Sequence, residues 1–346
     1  MTEVWTVNPG RPDVRIIKKA AELIKKGNLV AFPTETVYGL GADALNSEAV
    51  KKIFLAKGRP VDNPLIVHVS SGDSAYSLAG NVPKEADVLI REFFPGPLTI
   101  VLEKKPIVPD ETTAKLPTVA IRMPSSRIAL ALIEASGTPI AAPSANKAGR
   151  PSPTKAQHVL EDLDGKVDLI IDGGATEVGL ESTVVDLTVK PPQILRPGAV
   201  TLEMLRGVLG TVHISPTNTQ SLVDRELVAR SPGMKYKHYA PKAELLVVIG
   251  SDNDVQRKIS ELINDFDTKG MRIGVATTTG KKYHVNHIES LGVTKQEIAK
   301  GLFDVLRRFD EVNVDVILVE GVDEEGLGLA IMNRLRKASG HRVIDA

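Results

Sequence analysis

The chain has 346 residues, 42% of them apolar and 25% charged, enough to bury one large core or two ordinary ones, and two domains are expected. Lys and Arg number 43 against 43 Asp and Glu, so bulk electrostatic binding of nucleic acid is not indicated, although a local basic patch stays open. Cysteine is absent, which excludes a disulfide framework, a thiol nucleophile and thiolate metal sites and suits a cytosolic protein. Met1 to Arg15 holds no apolar h-region, and no stretch approaches ~18 uninterrupted apolar residues, so the sequence reads as soluble, not exported and without a membrane partner.

In chain order, Val14 to Lys26 places apolar residues at helical spacing and meets Gly27, suited to the left-handed turn that ends a helix. A helix is expected there. Leu29 to Phe32 reads as a buried strand, Ser47 to Ala56 as a capped helix and Pro64 to Val69 as a second strand. Further strand patterns follow at Leu98 to Leu102, Thr118 to Ile121, Pro139 to Ala142, Leu169 to Ile171, Thr183 to Leu187 and Gln193 to Leu195. Some of them are joined without a helical pattern between, which predicts a twisted mixed sheet with helices and not a purely parallel one.

Thr211 to Lys242 holds few apolar residues in any period and contains Pro216, Pro232 and Pro241, the composition of an extended linker. Beyond it, strand patterns at Leu245 to Ile249, Arg272 to Ala276 and Val314 to Val319 alternate with helical ones at Asp254 to Phe266, Lys295 to Phe309 and Leu327 to Ala338. The alternation predicts a small Rossmann-like parallel α/β domain. The expected organisation is a domain over residues 1–210, a linker over 211–242 and a second domain over 243–346.

Chemistry-bearing residues sit on short loops beside these elements. Lys57-Gly58-Arg59-Pro60 closes a helix, Gly58 permits a tight turn and Asn63-Pro64 returns the chain straight into a strand, so both cations are aimed; the plainer reading is that they cap the helix and complement its dipole. Pro143-Ser144-Ala145-Asn146 lies just past a strand, where α/β sheets gather ligands, and offers uncharged donors; alone it is also an ordinary Ser/Asn turn. Gly149 to Thr154 adds the cation Arg150 and the hydroxyls of Ser152 and Thr154, which also suit the N-cap of a following helix. Arg122 and Arg196 end predicted strands, and Ser182-Thr183 opens one. His68 lies inside an apolar strand, the usual setting of a satisfied core histidine. Gly326-Leu327-Gly328 precedes a helix without completing a dinucleotide fingerprint, and no P-loop, zinc-protease or nucleophile-elbow motif occurs. The inventory suits ATP and a carboxylate.

Lys57-Gly58-Arg59-Pro60 with Asn63-Pro64-Leu65, Arg122-Met123-Pro124, Ala142-Pro143-Ser144-Ala145-Asn146, Glu181-Ser182-Thr183-Val184-Val185-Asp186 and Leu195-Arg196-Pro197-Gly198 resemble, in order and spacing, the YrdC-type domain of threonylcarbamoyl-AMP synthases. Ser231 to Pro241 and Gly326 to Leu335 resemble the long, two-domain form, so the likeness spans almost the whole chain. It implies synthesis of L-threonylcarbamoyl-AMP from L-threonine, bicarbonate and ATP with release of pyrophosphate. This cytoplasmic nucleotidyltransferase reaction would serve threonylcarbamoyladenosine modification of tRNA beside the anticodon. It also implies a functional link to a separate tRNA threonylcarbamoyl transferase, with direct tRNA binding at most weak.

By the same resemblance, Lys57, Arg59, Ser144 and Asn146 carry the catalytic role, and Lys57, Arg59, Asn63, Thr118, Ser144, Ser152, Arg196 and Tyr236 meet ATP. Thr34, His68, Arg122, Ala142 and Ser182 surround threonine. Mg2+ accompanies ATP, and neither a protein-held metal nor a tightly bound organic cofactor is implied. Tyr236, His238 and Tyr239 are expected to close over the substrates; the alternative is that these rings anchor the linker on one domain.

Two other classes fit part of this inventory. A double-stranded RNA-binding module would use Lys57, Arg59, Arg122, Arg150 and Arg196 as a basic concave face. A carbamoyl transferase using carbamoyl phosphate is the enzyme alternative, because related domains occur in hydrogenase-maturation proteins; that family carries zinc-finger-like cysteines, which this chain lacks.

Overall fold

The structure, a computed structural model, describes residues 1–216 and 238–346, and Tyr236 lies outside them. By their contacts the described residues form two units, one of Met1–Ala148 with the chain onward from Ser152, the other of Gly149–Pro151 with the chain that ends at Ala346.

In the first unit the elements are β1 (Glu3–Thr6), α1 (Val14–Lys25), β2 (Val30–Pro33), β3 (Tyr38–Asp43), α2 (Ser47–Lys57), β4 (Ile66–His68), α3 (Gly72–Leu78), α4 (Lys84–Phe93), β5 (Leu98–Glu103) and α5 (Asp110–Thr113). They continue with β6 (Thr118–Arg122), α6 (Arg127–Ser136), β7 (Ile140–Ala141), α7 (Ala156–Leu163), β8 (Leu169–Asp172), β9 (Thr183–Asp186), β10 (Gln193–Arg196), α8 (Leu202–Leu209) and β11 (His213–Ile214). The strands join in one mixed sheet, ordered β1-β8-β2-β3-β7-β4-β6-β5-β9-β10-β11. The mixed sheet expected from the sequence is present.

Helix α1 shows how local pattern becomes packing. Asp13 accepts from the Arg15 amide and caps the first turn, while Ile17, Ala20, Ala21 and Ile24 recur on one face and are buried. That face enters the same apolar cluster as Ile128, Ala129, Leu132 and Ile133 of α6, and each fully buried aliphatic side chain contributes about 1.5–3 kcal/mol.

The sequence pattern does not predict β3, because Gly39 and Gly41 weaken its strand character. The structure explains both glycines: a Cβ on Gly41 would lie 2.7 Å from Phe32 and 2.9 Å from Ile140, so only a bare backbone fits between these neighbours.

The second unit holds β12 (Glu244–Ile249), α9 (Asp252–Asp267), β13 (Ile273–Thr277), β14 (His287–Ser290), α10 (Lys295–Glu311), β15 (Val316–Glu320), α11 (Gly328–Ala338) and β16 (Val343–Asp345). All its strand pairs are parallel, in the order β14-β13-β15-β12-β16. A cavity of about 570 Å3 lies beyond the carboxyl ends of β12, β13 and β15, and charges on its rim are paired, Lys295 with Asp323 and Glu324 with Arg336.

The stretch expected as a linker begins inside the first unit's sheet, where Gln193 and Ile194 of β10 pair with His213 and Ile214 of β11. At its other end Tyr239 stacks on Phe303 with ring centres 5.2 Å apart, and the Arg334 guanidinium lies 5.5 Å from the same tyrosine ring. This ring anchors its segment on the second unit, while Ser231 to Lys237 lies outside the described residues.

Candidate active site

Helix α2 ends at Lys57, and Gly58, at φ 60°, takes the left-handed turn that closes it. The Lys57 ammonium, 3% exposed, donates to the carbonyls of Ser144 and of Asn146, the latter at 2.6 Å. A buried ammonium is costly unless its protons are taken, and here the turn after β7 supplies the acceptors. That turn is itself hung on β3, whose Leu40 amide donates to Pro143 and whose Tyr38 carbonyl accepts from Ala145, both at 2.8 Å. Gly39 permits this approach, since a Cβ there would already stand 3.2 Å from that of Ala142.

Arg59, half-buried, donates to the Asn63 carbonyl at 3.2 Å and lies over Phe54 at 5.9 Å from the ring centre. The side-chain oxygen and nitrogen of Asn63 are both buried without a hydrogen-bond partner among the described residues. Leaving such groups unmet costs about 1–3 kcal/mol each, so their retention points to a ligand. Thr118 starts β6 at the end opposite Arg122, and the register that sets Ile66 beside Ala120 carries it toward the Asn63-Pro64 loop.

Arg122 and His68 end neighbouring parallel strands side by side. The Arg122 guanidinium donates from Nη1 to Thr36 at 2.9 Å and from Nε to the Gly96 carbonyl at 3.3 Å, and its Nη2 stands 2.7 Å from Oε1 of Glu35. Thr34 shares a 2.9 Å hydrogen bond with Thr36 and donates to the Val37 carbonyl at 2.7 Å. Burial, and then the charge of Arg122, push the pKa of His68 down to about 3, so the imidazole is uncharged near neutrality. Ala142 joins this group through its amide, which donates to the Ile66 carbonyl at 3.0 Å.

Ser182, fully buried, shares a 2.8 Å hydrogen bond with Thr99 and accepts from Arg196 twice, at Oγ (3.1 Å) and at its carbonyl (3.0 Å). Beside it Ser152 donates to Glu181 at 2.5 Å. A Cβ on Gly198 would come within 2.4 Å of the Thr183 amide nitrogen, so the turn after Arg196 is pressed against residues 181–183.

Backbone bonds tie these groups into one belt. Val178 and Gly179 donate to the carbonyls of Glu35 and Thr36, Thr183 donates to Pro97 next to the Gly96 that holds Arg122, and Tyr38 donates to Pro153 next to Ser152. Lys57, Ser144 and Asn146 therefore share one site, Arg122, His68 and Thr34 another, and Arg196 and Ser182 a third. The sequence separated Arg196 and Ser182 between nucleotide and threonine; the structure bonds them to each other.

Some readings change. Neither Ser152 nor Thr154 caps α7, whose N-cap is Lys155 and has no side-chain cap. Arg150 pairs with Asp310 of the second unit at 3.2 Å. Lys57, Arg122 and Arg196 are no more than 4% exposed, so they cannot form the exposed basic face an RNA-binding module needs. Sequence reasoning gave no role to Glu35, Thr36, Thr99 or Glu181. The one available signal for Glu35 was a polar triplet, Thr34-Glu35-Thr36, set between two strands.

A family model for the Sua5/YciO/YrdC domain, described as "Telomere recombination", matches residues 22–198, and one described as "Threonylcarbamoyl-AMP synthase, C-terminal domain" matches residues 200–340. The chain is 55% identical to a threonylcarbamoyl-AMP synthase of Pyrococcus abyssi over 95% of both chains. To that of Bacillus subtilis it is 50% identical, over 95% of this chain and 94% of the relative. The crystal structure of P. abyssi Sua5 complexed with L-threonine superposes with a TM-score of 0.96 at 53% identity, covering 100% of each chain.

Proposed function

The chain belongs to the threonylcarbamoyl-AMP synthase family in its two-domain form, and from that premise we propose how its residues carry out the reaction. The protein makes L-threonylcarbamoyl-AMP from L-threonine, bicarbonate and ATP. The threonine amine attacks bicarbonate, an N–C bond forms and water leaves. A carbamate oxygen then attacks the α-phosphorus, and the bond to the β-phosphate oxygen breaks, releasing pyrophosphate. The carbamate is already an anion, so this second step needs no strong base; it needs two anions held against each other.

The observation that carries this reading is the buried Lys57 ammonium fixed on the Ser144–Asn146 turn, with the same belt holding Arg122 and Arg196. Lys57, Arg59, Ser144, Asn146 and Arg196 take the nucleotide and its developing charge, with Asn63, Thr118 and Ser152 as further contacts and Tyr236 reaching ATP from beyond the described residues. Arg122 takes the threonine carboxylate, and Thr34, uncharged His68, Ala142 and Ser182 complete that pocket. The described residues hold no group of three or more His, Asp or Glu that could bind a metal. Mg2+ enters with ATP and neutralises phosphate charge.

No helix among the described residues is long and apolar enough to cross a membrane. The product is a mixed anhydride, short-lived in water, and its consumer is a separate tRNA-directed transferase. Incubation with ATP, bicarbonate and each of the common amino acids, read by mass spectrometry, tests the reading. A carbamoyl-AMP adduct with threonine is expected; its absence, or equal adducts with valine, would overturn it.

A further inference from the structure

We propose that Glu35 binds the α-ammonium of threonine, so that Glu35 and Arg122 together clamp both charges of the amino acid. This rests on the reading above, in which Arg122 takes the α-carboxylate.

Glu35 is 6% exposed and Arg122 4%. Their oppositely charged atoms are 2.7 Å apart, yet the contact lacks the direction of a hydrogen bond: among the described residues, Oε1 and Oε2 of Glu35 and Nη2 of Arg122 are all buried without a hydrogen-bond partner. An ion pair kept for stability alone aligns its donors, as Arg272 does on Asp315 with bonds at 2.9 and 3.1 Å. Here one anionic group and one cationic group each keep capacity in reserve at the same spot. The surroundings do not use that capacity, since Thr36 is engaged by Thr34 and Arg122, and His68 is uncharged. A ligand that satisfies both must carry an acceptor anion and a donor cation side by side, and an α-amino acid does.

The clamp also orders the chemistry. While nitrogen bears the positive charge, Glu35 attracts it. The ammonium gives up one proton to solvent before the free amine attacks bicarbonate and water leaves, and once the nitrogen carries a carbamate the new anion and the Glu35 carboxylate repel each other.

The test compares threonine with its hydroxy-acid analogue, in which a hydroxyl replaces the amino group, as substrate and competitive inhibitor of the full chain. Glu35→Gln is expected to raise the threonine KM about 10-fold to 100-fold, to leave the ATP KM near wild type, and to erase the preference for threonine over the analogue. Glu35→Asp, which keeps the charge on a shorter arm, should restore part of that preference. A purely structural residue would weaken both ligands alike, and that result overturns the clamp, as does an unchanged preference in Glu35→Gln. If the wild-type chain makes no threonylcarbamoyl-AMP, the functional reading itself fails; product from wild type with preference intact in both variants sinks the clamp alone.

Discussion

Each unit buries a carboxylate almost completely, and the two are used in opposite ways. Glu320, at the end of β15 and 1% exposed, accepts from the amides of Thr278 (2.7 Å) and Thr279 (2.9 Å), from Thr277 Oγ1 (2.9 Å) and from the Tyr283 hydroxyl (2.5 Å). Burial alone would raise its pKa, yet these hydrogen bonds outweigh it and the pKa is lowered. Glu35 has the same chemistry and comparable burial, and its oxygens have no such donors among the described residues. Satisfaction separates a side chain that holds its own fold from one held for another molecule.

Removing Glu320 should give the largest effect and break the comparison if it does not. Glu320→Ala strands several buried donors at once, and a loss on the order of 3–5 kcal/mol in urea unfolding is expected, with turnover preserved wherever the variant remains folded. A loss under about 1 kcal/mol would mean that hydrogen-bond satisfaction is a poor guide to structural weight. Next in size is Lys57→Met, expected to slow product formation about 10²-fold to 10³-fold per folded molecule and to lower Tm as the Ser144 and Asn146 carbonyls lose their donor. Wild-type turnover in that variant would remove the ammonium from the chemistry.

A third expectation, spread over several pH units, sharpens the contrast through pH. His68 has a folded pKa near 3, below its unfolded value of 6.5, so between those values the unfolded chain binds more protons. Stability should therefore fall as pH drops through that window, by up to about 1.4 kcal/mol per pH unit, and His68→Asn should flatten the slope. An identical slope in the variant would show that acid sensitivity arises elsewhere.

The second unit was largely legible because each of its helices and most of its strands carry their own period: the pattern at Lys295 to Phe309 becomes α10 with a capping box at Thr294 and Glu297. In the first unit β3 stayed hidden because Gly39 and Gly41 are there for close approach and not for strand propensity. Edge strand β1 and the short β11 have too few residues to show a period, and each relies on a distant partner, Leu169 to Asp172 for one and Gln193 to Ile194 for the other. The cations and hydroxyls of the site could be read as motifs. Their mutual bonds could not, because the Lys57 contact with Asn146 spans 89 residues and the Arg122 contact with Thr36 spans 86. Glu35 escaped notice since a single carboxylate in a turn carries no periodic signal.

The bond from Arg196 to Ser182 joins the residue proposed for phosphate to one proposed for threonine. A guanidinium drawn toward phosphate changes what Ser182 can offer its own ligand, and a threonine engaged by Ser182 changes how Arg196 is held. If Arg196 takes phosphate and Ser182 takes threonine as proposed, affinity at either place would depend on occupancy at the other by one common factor, whichever molecule arrives first.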